Sequence, residues 1–529
     1  MDITRLIEAL STPAAYPHPV EAVEVRQTHI SAVFLAGPNV YKVKKPVKLG
    51  FLDFSTLEKR RHFCEEEVRL NRRLAPQVYL GVVPVVRTGE RVQFEGEGEV
   101  VEWAVKMQRL PKSATVQERL RRGEVGVELV ETLARRIASF HRGAEANERI
   151  AAFGRFEAVA RVILDIFEQA TPQVGTTVSR TVFARAKKLA VGALTKLRLL
   201  IDGRAARGMT RDCHGDLHLD HVYFFPEREP PADLIIIDCI EFNEGFRFID
   251  PVADMAFPAM DFAFYGRRDL AQSFADAYFR ASDDEEGRSL LPLYTAYRAT
   301  VRGTVEGLLL AEKEVPGTER SAAQARARAH WLLALTELET PGRKPCLLLV
   351  AGLPGTGKST LARGLAEAAE FCVIRSDVVR KELAGLSGHE PTPAQLRESL
   401  YTAEWNDRVY AECLCRAEYL LGEGKRVIVD ATFREEQQRV TFMEAAIRWG
   451  VPPGLLLCQA EPETIRRRLE ARQGDASDAD YSVYRQVGEK WEEIGAAPGR
   501  AVAVISTEGS FAQVLSRALE ALTRFGLHG

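Results

Sequence analysis

The sequence predicts a mixed chain: an α/β domain with a doubly wound parallel sheet at the C-terminal end, preceded by an α+β region in which strands come first and helices follow. Three observations predict it. Beyond residue 345, apolar stretches of strand length alternate with helix-compatible segments, the pattern of a parallel sheet covered on both faces. Between residues 21 and 107, short alternating runs and turn signals read as strands. From Val116 to about Arg207 the spacing is helical, as at Leu129, Leu133, Ile137 and Phe140.

The chain of 529 residues suits two to four domains, and 46% hydrophobic with 27% charged residues is ordinary for globular proteins. A net charge of −3, from 71 basic and 74 acidic side chains, gives no general pull toward nucleic acid or anionic membrane. The eight cysteines contain no C-x-x-C pair and read as reduced thiols, not as a disulfide framework or zinc site. No apolar run approaches the roughly 18 residues that span a bilayer, and Met1 to Leu6 lacks the apolar core of a signal peptide. A cytoplasmic location is expected.

Taken in order, Val33-Phe34-Leu35 precedes the turn Ala36-Gly37-Pro38-Asn39, and Val40 to Pro46 alternates as a half-buried strand. Lys42 and Lys44 then share one face and Tyr41 and Val43 the other; a solvated face is the ordinary reading of such a lysine pair. Ser55-Thr56-Leu57-Glu58 reads as a capping box that opens a helix running through Glu67 and stopping near Pro76. Gly81 to Val86 and Val100 to Met107 are two more strands.

Farther on, Asp212-Cys213-His214-Gly215-Asp216-Leu217-His218-Leu219-Asp220-His221 is polar and leads into the apolar Val222-Tyr223-Phe224. Leu234 to Glu241 reads as a buried strand ending in an acid, and Asp250-Pro251-Val252-Ala253-Asp254 follows. His214-Gly215-Asp216-Leu217-His218, then Ile237-Asp238, then Asp254, resemble the aminoglycoside phosphotransferase and choline kinase branch of the protein-kinase-like fold over about residues 25 to 335. The resemblance implies a bilobal domain with an N-lobe at 1–110 and a helical C-lobe at 111–338. It implies Asp216 as catalytic base and Asp238 as a Mg²⁺ ligand. It implies Lys44 on the nucleotide phosphates, with Lys42 as the alternative, and Glu67 as the lysine's helix partner. Asp254 would pin the catalytic loop. Where that branch places an Asn for a second Mg²⁺, this chain has His221, and a neutral imidazole is a poor ligand for a hard cation. Asp220, next door, is an alternative ligand.

Thr340 to Pro345 is a Pro/Gly/basic stretch, read as a linker at 339–345 before a domain at 346–529. There the apolar run Leu347 to Ala351 ends in Gly352-Leu353-Pro354-Gly355-Thr356-Gly357-Lys358-Ser359-Thr360, which fits G-x-x-x-x-G-K-[ST] and is followed by a helix-compatible segment to Ala369. Glycines let backbone N–H groups converge on an anion, and the next helix aims its N-terminus at the same phosphate. Lys358 would reach the β- and γ-phosphates and the Ser359 hydroxyl would ligate Mg²⁺. Further strands end at Asp377 and Asp430, two acids facing a phosphate loop. Asp377 is read as the group that accepts a substrate hydroxyl proton, and Asp430 as an acid that positions Mg²⁺-bound water or substrate. The alternative for each is an ordinary strand-end polar residue. Arg468 and Arg472, i,i+4 on one helix, suit neutralisation of a transferring phosphoryl group; surface pairing with Glu463 and Glu470 is the alternative.

The segment from about 345 to 525 resembles the small P-loop kinases, including gluconate kinase, the kinase half of polynucleotide kinase, chloramphenicol phosphotransferase and zeta toxin. The residues that carry it are Gly352 to Thr360, Arg375-Ser376-Asp377, Val429-Asp430-Ala431-Thr432, Arg468 and Arg472. The whole chain is similar to bacterial fusions of the two kinds of domain. The expected activity is ATP- and Mg²⁺-dependent phosphoryl transfer to the hydroxyl of a small molecule. A first domain that binds ligand and only regulates, and a nucleic-acid 5′-end kinase, are the alternatives.

Overall fold

The computed structural model describes residues 2–50, 52–311, 316–387, 393–471, 477, 479–495 and 501–529. The chain divides into two compact units: Met1–Val159, Leu199–Asp261 and Ser273–Arg288 form the first, and Ala160–Arg198, Phe262–Gln272 and Ser289–Gly529 the second. No helix among the described residues is long and apolar enough to cross a membrane.

In the first unit, helix α1 (Ile3–Leu10) precedes strands β1 (Val23–Gln27), β2 (Ser31–Ala36) and β3 (Asn39–Lys44). Helix α2 (Leu57–Asn71) and strands β4 (Tyr79–Thr88), β5 (Arg91–Phe94) and β6 (Glu99–Gln108) follow. The six strands pair antiparallel in the order β1-β2-β3-β6-β4-β5. Alternation along β3 puts Tyr41 and Val43 in one core cluster with Phe34, Phe94 and Leu6 and Leu10 of α1. The opposite face is not solvated. Cys64 and Val68 of α2 pack there against Val105 and Met107 of β6, so Lys42 and Lys44 lie under a helix that carries an acid to meet them. The helix begins one residue later than the capping pattern suggests: Thr56, not Ser55, accepts the Lys59 N–H at 3.3 Å, while the Ser55 hydroxyl donates to Asp53 at 2.5 Å.

Helix α3 (Val127–Gly143), the short hairpin β7 (Val222–Phe224) and β8 (Leu234–Ile236), and helix α4 (Pro251–Phe264) frame the polar loop at 213–221. Strand β8 stops at Ile236 and does not run on to Glu241, because Asp238 takes a left-handed φ of 65° that breaks the ladder.

The second unit carries five parallel strands: β9 (Cys346–Ala351), β10 (Cys372–Arg375), β11 (Arg426–Asp430), β12 (Pro453–Gln459) and β13 (Val502–Ser506). Their order is β10-β11-β9-β12-β13. Along the central strand, Leu347, Leu349 and Ala351 join one cluster and Cys346, Leu348 and Val350 the other, so both faces are covered. The first cluster also contains Trp331, Leu332 and Leu335 of helix α5 (Gly317–Leu338). That shared core places α5 in the same compact unit as the sheet, so the stretch read as a linker lies inside this unit, where Pro341–Arg343 form one 3₁₀ turn. Helix α6 (Lys358–Ala369) follows β9, and α7 (Ser376–Leu383) follows β10. Helix α8 (Glu436–Arg448) follows β11, and α9 (Pro462–Glu470) follows β12.

Candidate active sites

The phosphate loop is built on glycines in backbone conformations that other residues rarely adopt. Gly352, Gly355 and Gly357 have φ of 140°, 81° and 85°. A Cβ at Gly352 would lie 2.5 Å from the Cys458 carbonyl oxygen, and one at Gly355 would lie 2.8 Å from Ile465 Cγ2. The N–H and hydroxyl of Thr356 both donate to the Leu353 carbonyl, at 3.3 and 2.7 Å, and Lys358 Nζ donates to the same oxygen at 2.9 Å. Among the described residues, the amides of Gly355 and Gly357 have no partner within the protein, and no side chain caps α6. The start of that helix is therefore an anion cradle of backbone N–H groups.

Asp430, at the end of β11, is paired in register with Val350 and Arg375. It is buried, and burial pushes its carboxyl above the usual range against the pull of Lys358, the Ser359 hydroxyl that bonds to it, and Arg375 at 3.4 Å. Asp377 adds to the upward push. Lys358, Ser359, Arg375 and Asp377 thus converge on one carboxylate. Asp377 is half-buried in the first turn of α7 and not on the strand itself. Thr360 is exposed on the first turn of α6. The adjacent hydroxyl and carboxylate oxygens of Ser359 and Asp430 are the hard donors that Mg²⁺ takes.

Arg468 lies beside the phosphate loop. Its Nη1 donates to Thr507 Oγ1 at 3.0 Å and its Nη2 to the Thr507 carbonyl at 2.7 Å, and a Cβ on Gly357 would lie 3.6 Å from Nη1. The surface pairing considered for this helix is made by its neighbour instead, Arg466 with Glu470 at 3.0 Å. Arg472 lies outside the described residues.

In the first unit, Glu67 meets both lysines. Lys42 Nζ lies 2.9 Å from Glu67 Oε1 and 2.7 Å from Asp238 Oδ1; Lys44 Nζ lies 2.7 Å from Glu67 Oε2 and bonds Glu241. Burial opposes ionisation of Glu67, but the two lysines hold its carboxyl below the usual range. Lys44 is wholly buried among acids, so Lys42, and not Lys44, is the lysine that reaches Asp238. Asp238 is itself held near a pKa of 2: burial pushes up, and Lys42 and His221 outweigh it.

Asp254 pins the polar loop by accepting the N–H of His214 at 2.9 Å and of Gly215 at 2.8 Å, with His141 Nε2 at 3.0 Å. Gly215 is obligatory, since a Cβ there would lie 2.8 Å from the Phe246 carbonyl oxygen at φ 88°. Asp216 is then presented, one-third exposed, with His218 Nε2 3.1 Å from Oδ1 and His221 Nδ1 3.7 Å from Oδ2. Asp220, in the adjoining turn, raises the His221 pKa together with Asp216 and Asp238, against burial, which lowers it.

Sequence reasoning named Glu241 and Arg375 without giving either a role, and it missed Thr507 and the Asp261 carboxylate that lies 3.3 Å from His218 Nδ1. An acid closing an apolar run was a signal for Glu241. Thr507 and Asp261 carry none, because their partners come from distant segments.

Residues 347–494 match the model of an AAA domain. Over 469 residues the chain is 34% identical to the uncharacterized protein Rv2004c of Mycobacterium tuberculosis, an alignment covering 88% of this chain and 90% of that one. An uncharacterized protein of Mycobacterium bovis matches at the same identity and coverage. The chain belongs to the family of these mycobacterial proteins. Among solved structures, this chain is similar to proteins of two kinds. A gluconokinase from Sinorhizobium meliloti covers 34% of this chain and 93% of its own at 17% identity and a TM-score of 0.27. A choline/ethanolamine kinase family protein from Mesorhizobium loti covers 64% of this chain and 99% of its own at 16% identity and a TM-score of 0.36.

Proposed function

We propose that the chain is an ATP-dependent phosphotransferase with two kinase-like sites, moving a γ-phosphoryl group to the hydroxyl of a small molecule. The observation that carries this reading is the convergence of Lys358, Ser359, Arg375 and Asp377 on Asp430 beside a cradle of glycine amides. Bound MgATP supplies the phosphoryl group and the cation that offsets its charge. The chain supplies the rest. The amides of Gly355 and Gly357 and those at the start of α6 hold the terminal phosphates, and Lys358 exchanges the Leu353 carbonyl for a phosphate oxygen. Ser359 and Asp430 are the cation's ligands. Asp377 accepts the proton of the attacking hydroxyl, and Arg468, braced by Thr507, faces the charge that develops on transfer.

In the first unit Lys42, oriented by Glu67, is the phosphate-binding lysine, Asp216 the base and Asp238 the cation ligand. A second reading, in which this unit binds nucleotide and regulates without transfer, is favoured by His221 alone.

A screen of hydroxylated metabolites, aminoglycosides and oligonucleotide ends with labelled ATP tests the proposal on wild type, Asp377→Asn and Asp216→Asn. An acceptor labelled by wild type and lost in Asp377→Asn is the expected result. Full activity of Asp216→Asn on every acceptor favours the regulatory reading. Labelling that survives Lys358→Ala and Lys42→Ala together overturns the assignment of both sites.

A further inference from the structure

Asp216 and Asp238 face each other across one imidazole. His221 Nδ1 lies 3.7 Å from Asp216 Oδ2, and Nε2 lies 3.8 Å from Asp238 Oδ2. The ring is anchored, because Nδ1 also sits 2.9 Å from the Asp216 carbonyl oxygen. A carbonyl oxygen only accepts, so Nδ1 carries a hydrogen and has no lone pair for a cation on that side. The other oxygen of each acid is also met by a basic side chain: Asp216 Oδ1 by His218 at 3.1 Å and Asp238 Oδ1 by Lys42 at 2.7 Å.

These contacts are unequal in what a nucleotide can change. Lys42 lies on the strand expected under the phosphates, and it can leave Asp238 Oδ1 for a phosphate oxygen, which frees that oxygen for a cation. His221 has no such alternative, since its ring is tied to the loop that presents Asp216. In kinase sites with two Mg²⁺ ions, one is held by the acid that Asp238 resembles and the other by an amide oxygen from the catalytic loop. Mg²⁺ takes oxygen donors at about 2.1 Å and accepts imidazole nitrogen poorly.

We infer that the first unit takes a single divalent cation, on Asp238, and that the His221 side chain stands in the place of a second one, bridging the two carboxylates. The inference rests on the reading that this unit binds nucleotide. Among the consequences is a site whose metal count differs from that of the kinase sites with two Mg²⁺ ions by construction and not by affinity: no concentration of cation restores the missing ligand.

The test counts Mn²⁺ by electron paramagnetic resonance on the full chain, with a non-hydrolysable ATP analogue, in a Lys358→Ala, Asp430→Asn background that silences the phosphate loop. One Mn²⁺ per chain is expected, rising to two when His221→Asn supplies an amide oxygen and falling to none in Asp238→Asn. His221→Asp supplies the same kind of donor and is expected to show the same gain, which covers a misfolded Asn variant. Two ions with His221 in place, or one ion in both His221 variants, overturns the inference. No bound nucleotide in the background protein removes the underlying reading instead, and is told apart by nucleotide retention measured in the same samples.

Discussion

Lys42 and Asp238, 196 positions apart in the chain, meet with Nζ 2.7 Å from Oδ1, while Lys44, two residues along the same strand, is sealed against Glu67 and Glu241. Two lysines on one strand face therefore have different work. One keeps about 15% of its side chain exposed and can exchange partners; the other neutralises buried acids.

Replacing each lysine separates those roles. Lys44→Ala leaves two buried carboxylates facing each other and is expected to cost about 3–5 kcal/mol in urea unfolding of the first unit. Lys42→Ala is expected to cost less stability but to weaken nucleotide binding by the first unit at least tenfold, read by calorimetry in the Lys358→Ala background. Equal destabilisation by the two variants would refute the distinction.

The glycines of the phosphate loop are also unequal. Gly357→Ala meets no atom closer than 3.6 Å and bears only the left-handed backbone, a strain of about 1–2 kcal/mol. Gly352→Ala adds a 2.5 Å approach to the Cys458 carbonyl of the neighbouring strand, where backbone must shift. Thermal unfolding is expected to show the second variant far below the first. Matching melting temperatures would mean that β9 and β12 are not held as closely as they lie here.

Thr507 braces Arg468 through a hydroxyl and a carbonyl. Thr507→Val keeps the carbonyl contact and removes the hydroxyl contact with Arg468, together with the bond the hydroxyl donates to the Gln459 carbonyl at 3.2 Å. The expected outcome is a drop in kcat of about three- to tenfold with KM for ATP little changed, since one such bond is worth roughly 1 kcal/mol. Arg468→Ala should exceed it by at least another order of magnitude. If Thr507→Val changed KM alone, Arg468 would be a ground-state contact.

His218 lies between Asp216 and Asp261. Burial lowers its pKa, but the two carboxylates outweigh it and raise it from 6.5 to about 9. Because the folded value is the higher one, protonated His218 stabilises the fold. That contribution is complete below about pH 6.5 and is lost as pH rises through about 9, amounting to about 3 kcal/mol. The difference in unfolding free energy between wild type and His218→Gln should shrink by that order between pH 6 and pH 10. A difference independent of pH would show that the imidazole is neutral throughout.

What the amino-acid sequence determined alone is what lies within a few consecutive residues. The phosphate loop was legible because its glycines, lysine and serine occupy eight adjacent positions between an apolar strand and a helix start. The His214-Gly215-Asp216 loop and the pinning acid Asp254 were legible only through the resemblance their short motifs carry to the aminoglycoside phosphotransferase and choline kinase branch. Tertiary structure decided the rest. Alternation along β3 puts Lys42 and Lys44 on one face but does not say which lies nearer Asp238; the packing of α2 and the left-handed turn at Asp238 do. Nor does local sequence say that Trp331, Leu332 and Leu335 share a core with β9, since a helix's apolar stripe records that it is buried and not against what.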